Sequence, residues 1–103
     1  VIWVGRSSRQ NALLLERAAP SDLWLHARGV PGGHVIIVTG GRPVPEALIE
    51  QAAELAARYS AARGQGKVAV DVTERRYVRP IPGAGPGQVT YRNERTLTVA
   101  PAE

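Results

Sequence analysis

The chain contains no cysteine, no methionine and no phenylalanine. Without cysteine there is no disulfide staple, no thiol nucleophile and no cysteine-ligated metal centre. Aromatic residues make up only 5% of the sequence, namely Trp3, Trp24, Tyr59, Tyr77 and Tyr91. The apolar bulk is therefore carried by Ala, Val, Leu and Ile. No apolar run reaches the ~20 residues that a membrane helix needs. The first residues lack the charged, apolar and small-residue regions of a secretory signal. Val1 at the first position suggests an excerpt of a longer chain, so that absence concerns this segment alone. At 103 residues there is room for one domain, 1–103, with one modest core.

What is abundant is arginine. Thirteen cations face nine anions, a formal net charge of +4, and all the cations except Lys67 are Arg. The guanidinium pairs with phosphate through a planar fork and stacks on flat groups, so this balance leans toward nucleic acid. The competing explanation is a compositional bias that enriches Ala, Arg, Gly and Pro together. Charge alone does not separate the two.

Periodicity gives the order β-α-β-β-α-β-β-β-β. Val1–Val4 reads as a short strand broken by Gly5. Ser7 or Ser8 caps a helix over Arg9–Ala19, with Leu13, Leu14 and Ala18 as a partial stripe. Leu23–Arg28 alternates as a strand, and the Gly29–Gly33 turn joins it to a β-branched strand at His34–Thr39 in a hairpin. Glu46–Ala62 is the clearest helix, opened by Pro45 and ended by Gly64, with Leu48, Ala52, Leu55, Ala56 and Tyr59 on one face. Lys67–Thr73 alternates again, and Arg76–Ile81 is a further short strand. Gln88–Tyr91 and Thr96–Val99 are expected to pair as a hairpin. The fold class is α+β, a mostly antiparallel sheet with two main helices packed on one face.

Several residue groups are candidates for chemistry. Trp24, His26 and Arg28 share a strand face, which would suit base stacking and phosphate contact. The same alternation also fits Trp24 as core and His26 as a hydrogen-bonded, half-buried polar group. His26 and His34 flank one turn and can approach each other. With Asp22 or Asp71 as third ligand they would offer a metal site, and as a pair they would offer acid–base nuclease chemistry. The Gly29–Gly33 turn can expose backbone N–H groups to an anion, but it lacks a phosphate-loop signature. Lys67, Arg75, Arg76, Arg79, Arg92 and Arg95 outnumber Asp71, Glu74 and Glu94, with Tyr77 and Tyr91 interleaved. That pattern suits RNA backbone contacts or an ordinary solvated surface. Arg6, Ser7, Ser8, Arg9, Gln10 and Asn11 crowd a strand–helix junction, as a cap or a binding loop does.

In their order, these motifs resemble the NFACT-R domain. The matching segments are Val4-Gly5-Arg6-Ser7-Ser8-Arg9-Gln10-Asn11, Asp22-Leu23-Trp24-Leu25-His26-Ala27-Arg28 and Pro31-Gly32-Gly33-His34-Val35. They continue through Ala52-Ala53, Leu55-Ala56, Ser60 and Arg63, then Val70-Asp71-Val72-Thr73, Pro86-Gly87 and Asn93-Glu94-Arg95-Thr96-Leu97 to Pro101. Ser7-Ser8, Gly29 and Gly33 depart from the usual pattern and leave the turn with fewer polar side chains. The resemblance implies the RNA-binding C-terminal module of the NFACT ribosome quality-control proteins, some of which are described as fibronectin-binding-protein-A-like. It implies a cytoplasmic, non-catalytic module without a cofactor or a membrane partner. Its expected partners are tRNA, the large ribosomal subunit and the N-terminal NFACT module of the same protein. The expected RNA-binding residues are Arg6, Gln10, Asn11, Trp24, His26, Arg28, Gly32, His34, Arg75, Arg76 and Arg79. Two alternatives stay open: a metal-dependent or His–His nuclease using His26, His34 and Asp22, and a protein-interaction or adhesin module.

Overall fold

A computed structural model describes residues 1–103. The elements are β1 (Ile2–Val4), α1 (Ser8–Arg17), β2 (Leu23–Ala27), β3 (Val35–Ile37), α2 (Glu46–Arg58), β4 (Val68–Glu74), β5 (Val78–Pro80), β6 (Val89–Tyr91) and β7 (Arg95–Val99). A single 3-10 turn, Arg75–Tyr77, links β4 to β5. The order of elements is the one read from the sequence. β1, β3, β2, β4 and β7 lie side by side in a five-stranded antiparallel sheet, and β5 and β6 form a separate two-stranded ribbon. The fold is α+β. No helix is long and apolar enough to cross a membrane.

Successive strand residues point to opposite faces, and in β2 and β3 both faces are apolar. Leu25 and Val35 on one face and Trp24 and Ile36 on the other are all 0% exposed. A sheet buried on both sides needs two covers. The larger cover is α2, which packs Ile49, Ala52, Ala53, Ala56 and Ala57 onto Leu25, Ala27, Val35, Ile37, Val70 and Val72. Its four alanines bring the helix axis close to the sheet, while Leu48 and Leu55 seal the margins. The apolar stripe is thus rotated from the expected one, and Tyr59 lies half-buried beyond the helix end. The opposite face takes α1 through Leu15, together with Val78 from the ribbon. The two helices therefore divide between the faces, where the sequence pattern suggested a shared one. Leu13, expected on the α1 stripe, is 50% exposed.

The same division explains the strand pairing at the C-terminal end. The expected hairpin between 88–91 and 96–99 does not form. Tyr91 pairs with Val78 in the ribbon, whereas Leu97 pairs with Val70 in the main sheet. Val89 and Tyr91 pack into the Trp24 cluster, and Leu97 and Val99 into the α2 cluster. The chain crosses between the two at Asn93, which takes a left-handed φ of 58°. The Thr73 hydroxyl donates to the Arg92 carbonyl at 2.8 Å and fixes the crossing. The β2–β3 hairpin does form, in the register Leu23↔Ile37 and Leu25↔Val35.

Candidate functional site

Two distant sequence motifs close on each other at one end of the sheet. Ser7 caps α1 by accepting from the Gln10 backbone N–H, and the Gln10 side chain accepts from the Arg6 N–H at 2.8 Å. This reciprocal pair is close to a capping box. It points Asn11 into the fold. Asn11 Oδ1 accepts from the buried His34 N–H at 2.9 Å, and its amide donates to the Gly32 carbonyl at 3.4 Å. The Gly5 N–H donates to the His34 carbonyl at 2.8 Å. The backbone is too close here for side chains. A Cβ at Gly5 would lie 2.2 Å from Asn11 Oδ1, and one at Gly33 would lie 2.1 Å from the Gly5 carbonyl oxygen. Gly5, Asn11, Gly32 and Gly33 are thus parts of one junction that aims His34 at the face carrying Trp24.

Trp24 stacks on His26, with ring centroids 5.7 Å apart and planes 8° from parallel. His34 meets Trp24 edge-on at 5.3 Å and His26 edge-on at 5.6 Å. Tyr91 reaches in from the ribbon, 4.6 Å from Trp24. Trp24 is fully buried and is therefore core, not an open platform; His26 is half-buried. Burial holds His34 at a pKa of about 4, with the nearby His26 pushing the same way and a hydrogen bond to the Gly87 backbone opposing. Burial also lowers His26, against hydrogen bonds to the Gly32 and Ala27 backbone and the field of Asp71. Both imidazoles are consequently neutral near pH 7. Trp24 Nε1 and His34 Nδ1 have no hydrogen-bond partner although both are buried. Their residues line a cleft of about 420 Å³, closed on its other sides by the Val30–Gly32 turn and Pro86–Val89.

Asp71 organises the same face from β4. It lies opposite His26 in the sheet and accepts from the Tyr91 hydroxyl at 2.5 Å, the Thr96 hydroxyl at 2.6 Å and Arg28 at 3.3 Å. Burial, and then the bond to Asp71, raise the Tyr91 phenol above its ordinary value. Asp22 does not join the histidines. Its carboxylate accepts from the Ala19 and Thr39 N–H groups at 2.8 and 3.0 Å, at the far end of β2. No three His, Asp or Glu side chains are placed so that they could hold a metal ion. The His26–His34–Asp22 constellation of the nuclease alternative is therefore not assembled.

The expected cations fall into separate places. Arg28 ends β2 with its side chain 56% exposed, tied to Asp71 and Thr96. Arg75 is half-buried and donates to the Leu15 and Val78 carbonyls at 2.8 and 2.7 Å, joining α1 to the ribbon. Burial and the neighbouring Arg79 lower its proton affinity. Arg76 pairs with Glu74 at 3.1 Å on the surface, and Arg79 is exposed on β5. Arg6 stands over one ring, Tyr59, at 4.8 Å, and Arg58 shares that ring at 5.5 Å. With Arg63 they line a second cleft of about 380 Å³. Arg58, Tyr59 and Arg63 were not among the expected site residues. In the sequence Tyr59 read as part of the apolar face of a helix and Arg63 as part of the family pattern. Nothing local joined them or Arg58 to Arg6, because that approach depends on the β1–β3 junction.

Comparison with known proteins finds relatives in both sequence and structure. Two curated bacterial relatives are both described as Rqc2 homolog RqcH. The one from Streptococcus suis is 41% identical across 100% of this chain, and the one from Bacillus subtilis is 43% identical across 97% of it. The chain spans only 19% and 17% of the length of those relatives. Among solved structures, the C-terminal part of the fibronectin/fibrinogen-binding protein from Streptococcus suis superposes with a TM-score of 0.92 at 41% identity. That match covers 99% of this chain and 41% of the other. Residues 1–93 match the NFACT protein RNA binding domain, and the chain belongs to that family.

Proposed function

We propose that residues 1–103 form one RNA-contacting module of a longer, cytoplasmic ribosome quality-control protein. In this reading the module touches tRNA or the large ribosomal subunit, acts beside an N-terminal NFACT module, and performs no catalysis. The observation that carries the proposal is the convergence of Arg6, Asn11, Trp24, His26, Gly32 and His34 at one end of the sheet, around open clefts. Arg6, over the Tyr59 ring, and Arg28, held by Asp71 and Thr96, both keep exposed guanidiniums that can meet phosphate. Arg79 on the ribbon is exposed as well, whereas Gln10 and Arg75 support local structure.

Binding to tRNA across a salt series tests the reading. Affinity is expected to fall steeply with ionic strength, because arginine–phosphate contacts release counterions. Arg28→Ala should weaken binding by about 1–3 kcal/mol if this side chain contacts RNA. No binding at low salt, or binding indifferent to salt, refutes the proposal. RNA incubated with the protein should stay intact with and without chelator. The solved relative described as fibronectin/fibrinogen-binding supports protein contact as a second reading. A partner that remains bound after nuclease treatment would favour it.

A further inference from the structure

The two clefts are neighbours. Ser8, Asn11, Pro31 and Gly32 belong to the lining of both, so a single wall divides them. Their chemistry is different. The lining of the Trp24 cleft contains no Arg, Lys, Asp or Glu. The Tyr59 cleft contains Arg6, Arg58 and Arg63 and no carboxylate. A neutral, partly aromatic cleft beside a purely cationic one complements a molecule with a flat neutral part joined to an anion. We infer that the paired clefts bind a single unpaired RNA nucleotide, its base in the Trp24–His26–His34 cleft and its phosphate among Arg6, Arg58 and Arg63. This inference rests on the RNA-binding reading and narrows it from a charged surface to a built site.

The base side has an independent mark. Trp24 Nε1–H is a donor without an acceptor, and His34 Nδ1 is a polar atom without a partner. Native proteins leave few such buried atoms unsatisfied, because each carries an uncompensated loss of hydration. Burial keeps the His34 ring neutral near pH 7, with Nδ1 its unpartnered nitrogen. A neutral imidazole nitrogen serves as donor or acceptor according to its tautomer. An indole donor and an unpartnered imidazole nitrogen suit the edge of a nucleobase, which carries both donors and acceptors. Both atoms lie beneath the surface of residues that line the cleft, so a base seated there packs against the ring that carries each of them. The volume, about 420 Å³, lies within the roughly 300–1,000 Å³ common for small-molecule sites.

The phosphate side is built for a dianion or a bridging phosphodiester. Tyr59 holds the Arg6 and Arg58 guanidiniums near one ring, which limits their freedom before any ligand arrives. The Ser7-capped end of α1 adds its hydroxyls at the same wall, since Ser7 and Ser8 both line this cleft.

The test follows the Trp24 indole N–H resonance in this chain, assigned with Trp3→Phe. Uridine and adenosine monophosphates, the free nucleosides, inorganic phosphate, a short single-stranded RNA, an RNA duplex and whole tRNA are titrated separately. The monophosphates and the single strand are expected to shift the Trp24 signal. The nucleosides should bind at least tenfold more weakly, and inorganic phosphate should leave the signal in place. Arg6→Ala with Arg63→Ala, both exposed positions, should reduce monophosphate affinity about tenfold without lowering the melting temperature. If tRNA binds but the Trp24 signal never moves, the inference fails and the RNA-binding reading survives. The inference alone also fails if phosphate binds as tightly as the nucleotides, or if the double variant has no effect. If no RNA binds at low salt, both fail.

Discussion

Mild acid should destabilise this protein through a histidine that binds no proton in the folded state. His34 is 2% exposed, wedged between Trp24, His26 and the Asn11 junction. Burial and then His26 lower its pKa from 6.5 to about 4. Above pH 6.5 neither the folded nor the unfolded chain protonates this ring, and its contribution to stability is intact. Between pH 6.5 and 4 the unfolded chain binds a proton that the folded one refuses, so stability declines as pH falls. Below pH 4 both forms are protonated and the full penalty stands. At roughly 1.4 kcal/mol per tenfold difference in proton affinity, that penalty is about 3 kcal/mol. It is a large share of the 5–15 kcal/mol typical of a small domain. His26 is shifted in the same direction by burial and adds to the same slope. Urea unfolding at pH 7.5, 6.5, 5.5 and 4.5 measures the loss. A parallel NMR titration of the His34 ring separates it from carboxylates that protonate in acid. A His34 midpoint near 6.5, or a midpoint for unfolding that does not move between pH 6.5 and 4.5, would overturn this account.

Other perturbations probe the remaining contacts. Asn11→Ala leaves the buried His34 N–H without its acceptor and should cost about 1–3 kcal/mol in a thermal or urea melt. Gly33→Ala drives a methyl to within 2.1 Å of the Gly5 carbonyl and should cost at least about 1–3 kcal/mol, while Gly64→Ala, which meets nothing within 4 Å, should be near neutral. Equal melting temperatures for the two alanine variants would contradict the close approach of these backbones. Asp71→Ala strips the acceptor from Tyr91, Thr96 and Arg28 and should cost about 1.5–3 kcal/mol. In that variant the Tyr91 phenol should titrate at lower pH than in the parent, read from its ultraviolet absorbance, since the carboxylate that helps raise it is gone.

Much of the element order was legible because each strand and helix carries its own period. Val68, Val70 and Val72 face α2 as their alternation requires, and Ser7 caps α1 as its position before Arg9 and Gln10 suggests. The start of α2 was legible but not its end or its angle: the helix stops at Arg58, short of the expected Ala62 and Gly64, where the chain turns at Tyr59. Five alanines among its thirteen residues are neutral in a hydrophobic pattern, and packing decides which of them turn inward. The hairpin expected at 88–99 failed for a related reason. Two short alternating runs across a four-residue turn look like partners. Nothing local says that Tyr91 belongs with Trp24 and Leu97 with Val70.

The candidate site had the same limit. Alternation correctly put Trp24, His26 and Arg28 on one face of β2, but it does not say what covers that face. Because α1 and the β5–β6 ribbon cover Trp24 and leave Arg28 at the rim, one periodic motif changes from core to cleft wall to surface within five residues. Arg58 and Arg63 were hidden more deeply. They enter the site only because Gly5 and Gly33 lack side chains, which lets the start of the chain lie against the end of α2 and brings Arg6 over Tyr59. The Gly5 and Gly33 positions, which carry no functional group, therefore decide whether a cationic cleft exists at all. Removing their close approach should abolish that cleft while every arginine remains in place.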